Sequence, residues 1–319
     1  SGDPLHENGD AVAELKEEEI ALTAGPGKRA SLHDRPTVAK QSIQRITLLG
    51  KGQFGEVYLA KVAGLTLPAA GEAETVAMVK ALGSRDERAQ AEFQREVDLF
   101  GKASHVAVAR LLAVCKEPLQ MVLEYTDLGD LKQYLKLSRG DDKEIKMKPL
   151  TAQQKLSVCV QVAQGMVHLS SQRLVHGDLA ARNCLVSSDN SVKISCPGLS
   201  RDVYISPEYF EHRQALIPLR WMAPEAVAEG DLSTKSDVWA VGVLLWEVCT
   251  LGELPYAKLK DEEVFRAVQS GSLKPLSTKA CLAHVSKLLQ RCLAPSPRDR
   301  PSFPDVLHDL SSVQLDTSV

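Results

Sequence analysis

His176-Gly177-Asp178-Leu179-Ala180-Ala181-Arg182-Asn183 is the stretch that decides the fold, because two weaker signals stand before it in the chain. The first is Gly50-Lys51-Gly52-Gln53-Phe54-Gly55-Glu56-Val57, a glycine-rich loop between two strand-like runs. Glycines there let backbone amides approach a phosphate chain that side chains would obstruct, although a plain hairpin also uses glycine. No helix opens after the loop, which argues against a dinucleotide-binding turn. The second signal is Lys80, ending the run Val76-Ala77-Met78-Val79-Lys80, with Glu96 on the helix-periodic segment that follows. A strand lysine paired with a helix glutamate suits the α- and β-phosphates of a nucleotide. Taken alone, the pair reads as an ordinary ion pair.

Composition bounds the rest. The 319 residues carry 38 Lys+Arg against 41 Asp+Glu, a formal net charge of −3, and 44% are hydrophobic. That balance argues against wholesale disorder and against a nucleic-acid-coating role. Seven cysteines, at 115, 159, 184, 196, 249, 281 and 292, are scattered and never spaced as CxxC. They predict neither a disulfide framework nor a zinc site, and they suit a reducing compartment. Nothing resembles a signal peptide, and the longest apolar run, Val238–Trp246, is about half of what a bilayer span requires. The expectation is a soluble, near-neutral, cytosolic protein.

Organisation follows from periodicity. Residues 1–25 hold seven acidic side chains and one lysine, so residues 1–40 read as a solvated tail or linker, with a short helix across Ala11–Leu22. Short β-rich runs at Ile46–Leu49, Glu56–Lys61 and Thr75–Ala81 predict antiparallel hairpins. Phe93, Val97 and Phe100 recur at helical spacing within Arg88–Lys102, and two strands follow at Arg110–Cys115 and Gln120–Tyr125. Beyond Gly129 the pattern turns helical, at Ala152–Ser170, Lys235–Leu251, Glu262–Ser270, Val285–Leu293 and Ser302–Leu310. A β-rich part followed by a helix-rich part predicts an α+β, two-lobed architecture with a cleft between.

With the loop and lysine upstream, the octapeptide resembles the catalytic loop of a protein kinase, and its Leu-Ala-Ala-Arg-Asn form resembles the tyrosine-kinase branch. Pro218-Leu219-Arg220-Trp221-Met222-Ala223-Pro224-Glu225 is similar to the substrate-side segment of those enzymes, and Ser236-Asp237-Val238-Trp239 to the start of their buried central helix. The resemblance covers roughly Ile43 to Leu310. It implies a bilobal kinase fold, with an N-lobe over 41–126, a C-lobe over 127–312 and a tail over 313–319. It also implies structural roles for Asp237 and for a pair between Glu225 and Arg300. The nucleotide site would comprise Gly50, Gly52, Gly55, Val57, Met78, Lys80, Glu96 and Leu123, the last at the gatekeeper position and read as ordinary core.

The pattern breaks where phosphoryl transfer needs it. A kinase places magnesium with the Asp of Asp-Phe-Gly and the catalytic-loop Asn. Asn183 is present, but Cys196-Pro197-Gly198 stands where the triplet belongs. A thiol is a soft ligand, whereas Mg²⁺ prefers hard oxygen donors. Losing that carboxylate forfeits on the order of 4 kcal/mol of transition-state stabilisation, roughly a thousandfold in rate. Pro197 lacks the phenyl ring that packs under the Glu96 helix in active kinases, so that packing is expected to be incomplete. Gly177 replaces the arginine that in many kinases grips a phosphorylated activation loop. Met78 stands where the family usually has alanine above adenine, and side chains are expected to fill that slot. Asp178 is then a loop-organising residue rather than a base, and Arg182 and Asn183 are vestigial. Cys196 reads as a packing cysteine, and Tyr204 and Tyr209 as phosphorylation sites in an exposed segment.

Among pseudokinases the chain resembles the protein-tyrosine-kinase-seven family (colon carcinoma kinase, Off-track). Gly177, the altered triplet, Asp202-Val203-Tyr204, Glu124–Gln133 and Glu229–Lys235 carry that likeness. It implies an inactive tyrosine-kinase-like scaffold in the cytoplasmic part of a single-pass receptor in Wnt and planar-polarity signalling. No cofactor is expected, with ATP and Mg²⁺ binding weak or absent. Expected partners are signalling proteins and other receptor kinases, not nucleic acid, with the membrane reached only through a transmembrane segment outside these residues. The alternative is a weakly active or ATP-responsive tyrosine kinase with non-standard metal handling.

Overall fold

A computed structural model describes residues 35–52, 55–65, 74–141, 147–197 and 206–313. The acidic stretch with its expected short helix, the loop tip Gln53-Phe54, Tyr204 and the tail beyond residue 313 lie outside them. Five antiparallel strands form the first lobe: β1 (Ile43–Lys51), β2 (Gly55–Ala63), β3 (Glu74–Leu82), β4 (Leu111–Lys116) and β5 (Leu119–Leu123), in the order β1-β2-β3-β5-β4. The period-2 pattern of β3 gives its two faces different work. Ala77 and Val79 join Tyr58, Ala60, Val62, Ala113 and Val122 in a buried cluster. Met78 and Lys80 alternate with them, and they pair in register with Leu123 and Met121 of β5. Pro36–Val38 run beside β4, where Val38 N donates to Val114 O and Val114 N to Pro36 O. The folded unit therefore begins a few residues before the tail boundary expected at residue 40, because a sheet edge offers those unpaired backbone groups.

Helix α1 (Glu87–Lys102) starts where the Asp86 side chain accepts from Arg88 N, and it buries Ala89, Phe93, Glu96, Val97, Leu99 and Phe100. That i, i+4, i+7 stripe turns Glu96 inward with the apolar residues.

The second lobe comprises α2 (Leu131–Leu137), α3 (Ala152–Ser171), α4 (Pro224–Glu229), α5 (Thr234–Cys249), α6 (Asp261–Gln269), α7 (Ala283–Cys292) and α8 (Phe303–Ser311), with two small hairpins, β6 (Cys184–Val186) with β7 (Val192–Ile194) and β8 (Phe210–His212) with β9 (Ala215–Ile217). Helix α5 is the hub. A reciprocal Ser233–Ser236 capping box opens it, and every residue from Ser236 to Val248 is buried. A helix apolar all round belongs inside a lobe, and its few polar residues, Asp237 and Glu247, serve neighbouring loops. No helix of the described residues is long and apolar enough to cross a membrane.

Candidate functional site

Strand β3 and helix α1 bring Lys80 and Glu96 together. Lys80 Nζ donates to Glu96 Oε1 and Oε2, both at 2.7 Å, and to the Pro197 carbonyl at 3.2 Å. Burial works against the ammonium, but the Glu96 carboxylate outweighs it and holds the Lys80 pKa above the ordinary lysine value. Helix α1 thus lies in against the cleft, and two further contacts hold it there. Arg95 reaches from α1 to the Val175 and His176 carbonyls, at 2.9 and 3.1 Å. Phe100 meets the His176 ring edge-on, with centroids 6.4 Å apart. Position 197 is a proline and supplies no phenyl ring to this contact.

Backbone geometry explains Gly177. Its φ is +85°, and a Cβ there would lie 2.9 Å from Leu232 Cδ1. That left-handed conformation strains any L side chain. Asp237, projecting from α5, accepts from His176 N at 2.8 Å and Gly177 N at 3.0 Å. Burial raises the Asp237 carboxyl to about 6 despite those bonds. Burial likewise depresses the His176 imidazole to about 4, against the bond of Nε2 to Ser195 O.

Asp178 is fully engaged. Its Oδ1 accepts from Arg182 at 2.5 Å and its Oδ2 from the Tyr209 hydroxyl at 2.8 Å. Arg182 Nε in turn donates to that hydroxyl at 2.9 Å, and the guanidinium lies over the Tyr209 ring at 4.6 Å and the Trp221 ring at 4.3 Å. Burial, opposed by Arg182 and reinforced by Asp178, holds the Tyr209 pKa up, so the phenol stays protonated and donates. The expectation of an exposed Tyr209 is therefore corrected: the residue is only partly exposed, and its hydroxyl points into the lobe because two ionised side chains converge there. Asn183 donates to the Asp178 carbonyl at 2.7 Å.

One hub escaped sequence reasoning. Glu247 of α5 has no exposed surface, and it accepts from Lys132 Nζ at 3.0 Å, Ala181 N at 2.9 Å and Trp221 Nε1 at 3.0 Å. It ties α2, the 176–183 loop and the 218–225 segment to one carboxylate. A charged residue inside an otherwise apolar periodic run was the available signal. Further along, Arg300 grips Glu225 through two bonds of 2.6 and 2.9 Å, as the resemblance implies, and Arg300 holds the Glu225 carboxyl below its ordinary range against partial burial.

A family model described as protein tyrosine and serine/threonine kinase matches residues 43–310. The chain belongs to the protein kinase family. This kinase domain is 51% identical over 99% of its length to the chicken protein named Inactive tyrosine-protein kinase 7, and it covers 30% of that protein. The human protein of the same name matches to the same extent. The transforming protein ros of UR2 avian sarcoma virus is 37% identical over 90% of this chain and 72% of its own length. The chain thus spans about 30% of the length of the first of these curated relatives.

The magnesium and nucleotide that the kinase fold implies do not fit the residues present. Asn183 Oδ1 is buried and accepts no hydrogen bond among the described residues, so it retains one hard donor. The companion position holds Cys196, wholly buried, whose thiol is pushed up to about 12 by burial, with Lys80 opposing and Glu96 reinforcing. A neutral thiol does not replace a carboxylate as a ligand for Mg²⁺. Among the described residues no group of three or more His, Cys, Asp or Glu side chains is placed to hold a metal ion. The adenine end is closed as well. Val57, Met78 and Leu123 are each at most 1% exposed, so an adenine ring reaches them only by displacing packed side chains. A cavity of about 300 Å³ does open, but beneath Gly52 and Gly55, bounded by Lys80, Phe93, Pro197, Tyr209 and Ile217 rather than by Met78 or Leu123.

Proposed function

We propose that this kinase domain transfers no phosphate and works as a signalling scaffold, in the cytoplasmic part of a single-pass Wnt and planar-polarity co-receptor. The observation that carries the catalytic half is Cys196, a buried neutral thiol where the metal-binding carboxylate belongs. The relatives named inactive support it, and so does an Asp178 whose two oxygens are spent on Arg182 and Tyr209. Phosphoryl transfer depends on positioning and charge neutralisation, and neither is assembled. The scaffold half rests on what survives: the Lys80–Glu96 pair, the Glu225–Arg300 pair and the hub at Glu247 brace the elements around the cleft. Its partners are signalling proteins, other receptor kinases among them, and no cofactor is required.

The rival reading, a nucleotide-responsive switch, draws on the intact Lys80–Glu96 pair. Thermal-shift titration with ATP, with and without Mg²⁺ or Mn²⁺, separates the two. A ligand at a hundred times its dissociation constant stabilises a fold by about 2.7 kcal/mol. The scaffold predicts no shift at millimolar ATP; a metal-dependent rise in melting temperature favours the switch.

A further inference from the structure

Just past its end, helix α1 is tied to the C-lobe again, by imidazoles rather than by ions. Ala103 N closes the helix on Leu99 O, and the amide of the next residue, Ser104, donates to His168 Nε2 at 3.1 Å. His168 lies in the last turn of α3. His105 follows Ser104, and its Nδ1 accepts from Ala107 N at 3.0 Å. The two rings stack, with centroids 5.3 Å apart and planes 25° from parallel. A ring nitrogen that accepts a hydrogen bond carries no proton, so both imidazoles are neutral in this arrangement. The backbone donors also fix the tautomers: His168 holds its proton on Nδ1, and His105 on Nε2.

We infer that His105 and His168 form a proton-sensitive clasp between the loop after α1 and the end of α3, closed while both rings are neutral and opened by mild acid. A proton added to either ring goes to its accepting nitrogen, where it meets a backbone N–H, and the new charge lies against the stacked neighbour. Both effects oppose closure. The rest of the loop is held by groups that do not titrate in that range. Ile194 N donates to Ala107 O and Ala109 N to Ile194 O, each at 2.8 Å. Acid is therefore expected to free Ser104 and His105 at the end of α1, and to leave the contact of residues 107–109 with β7 in place.

The charges around the pair offer the imidazolium no partner. Lys193 of β7 donates to Val106 O at 2.8 Å and pairs with Glu124 at 3.3 Å, and Glu124 also accepts from Arg110 N at 3.2 Å. Burial, then His168 and Lys193, hold the His105 imidazole below its ordinary value. Lys102 ends α1, and Lys155, thirteen residues before His168, is the other charged side chain of α3. Helices α5 and α8 also pack on α3. Of their charged residues, Lys235 donates to Arg300 O, and Asp237 and Glu247 serve the loops described above. Asp305 caps its own helix, Asp309 pairs with Arg291, and His308 is left unchanged in the test below.

Nuclear magnetic resonance of the whole nitrogen-labelled chain, between about pH 7.5 and about pH 5.5, gives the test. At the upper end, imidazole spectra are expected to show His168 protonated on Nδ1 and His105 on Nε2. On acidification the Ser104 amide should lose about fivefold in protection from solvent exchange, the worth of one ordinary hydrogen bond, after correction for the intrinsic pH dependence of exchange. The Ala109 and α5 amides should keep theirs. His168→Phe keeps a ring against His105 but offers no acceptor. Its Ser104 amide should be as weakly protected at the upper pH as the wild type's is at the lower, and its His105 should titrate at a higher pH, because a like charge has gone. Three results overturn the clasp: the opposite tautomers, Ser104 protection in the wild type that does not change with pH, or an equal loss at the α5 amides. The wild-type titration decides by itself if the variant folds poorly.

Discussion

The Tyr209 hydroxyl donates to Asp178 Oδ2 at 2.8 Å and accepts from Arg182 Nε at 2.9 Å. A tyrosine of the segment that lies over the cleft thus occupies the carboxylate that would serve as base in an active kinase. The arrangement costs the domain nothing in catalysis if there is none to lose, and it fixes the segment to the C-lobe.

Phosphorylation of Tyr209 therefore requires its release. In a wild-type chain incubated with an active tyrosine kinase, phosphopeptide mapping should find Tyr209 labelled slowly, and Asp178→Ala should speed its labelling severalfold. Tyr209→Phe keeps the ring beneath Arg182 and should cost about 1–2 kcal/mol in urea denaturation, from the two lost hydrogen bonds. Equal labelling rates in wild type and Asp178→Ala would count against the lock.

Lys80 and Glu96 make a second, different prediction. Lys80→Met strands a carboxylate that is 3% exposed, and removal of one partner from a buried pair costs about 3–5 kcal/mol. The double variant Lys80→Met/Glu96→Leu should recover much of that loss, because no unpaired charge remains. Denaturation midpoints of the three variants check the order, and a double variant no more stable than Lys80→Met would show that the pair does more than neutralise itself.

Much of this site was legible in the sequence, but unevenly. Lys80 and Glu96 were suggested by their strand and helix setting, and Asp237, Glu225 and Arg300 by the family resemblance; the structure pairs Lys80 with Glu96 and Glu225 with Arg300. The strands and long helices fell near their expected spans because periods of 2 and 3.6 report burial directly. Contacts that close across the fold left no local trace. Arg95 to the His176 carbonyl, Phe100 to His176 and Lys132 to Glu247 join residues 81, 76 and 115 apart. Periodicity says which face is buried, not what it is buried against. The cysteines were read correctly from their spacing, since all seven are free thiols.

Position 177 should resist reversion toward the family pattern. Gly177→Ala places a Cβ at φ +85°, 2.9 Å from Leu232 Cδ1, and should destabilise the domain by about 1–2 kcal/mol. Thermal melts would show it, and pairing with Leu232→Ala should relieve only the steric share. A Gly177→Ala variant as stable as the wild type would mean that the backbone relaxes out of the left-handed region.

The pH dependence of stability carries a sign that can be worked out. His176 is depressed to about 4 from an ordinary 6.5, so its contribution is present above pH 6.5 and is lost as pH falls through 4. Asp237 is raised to about 6 from 3.8, so its contribution is present below pH 3.8 and is lost as pH rises through 6. Between about pH 4 and 6 the two oppose each other, each by up to about 3 kcal/mol. Asp237→Asn removes the second and should make stability climb more steeply from pH 4 to 6.5 than in the wild type, whatever its absolute loss. Urea denaturation across that range measures the two slopes, and parallel curves would refute the assignment.

The most direct measurement is phosphate incorporation from γ-labelled ATP into the domain and into a tyrosine-containing peptide, with Mg²⁺ or Mn²⁺, for the wild type and Asp178→Asn. With Cys196 buried as a neutral thiol and Asp178 committed to Arg182 and Tyr209, the account predicts incorporation at background for both. Metal-dependent incorporation by the wild type that disappears in Asp178→Asn would contradict it.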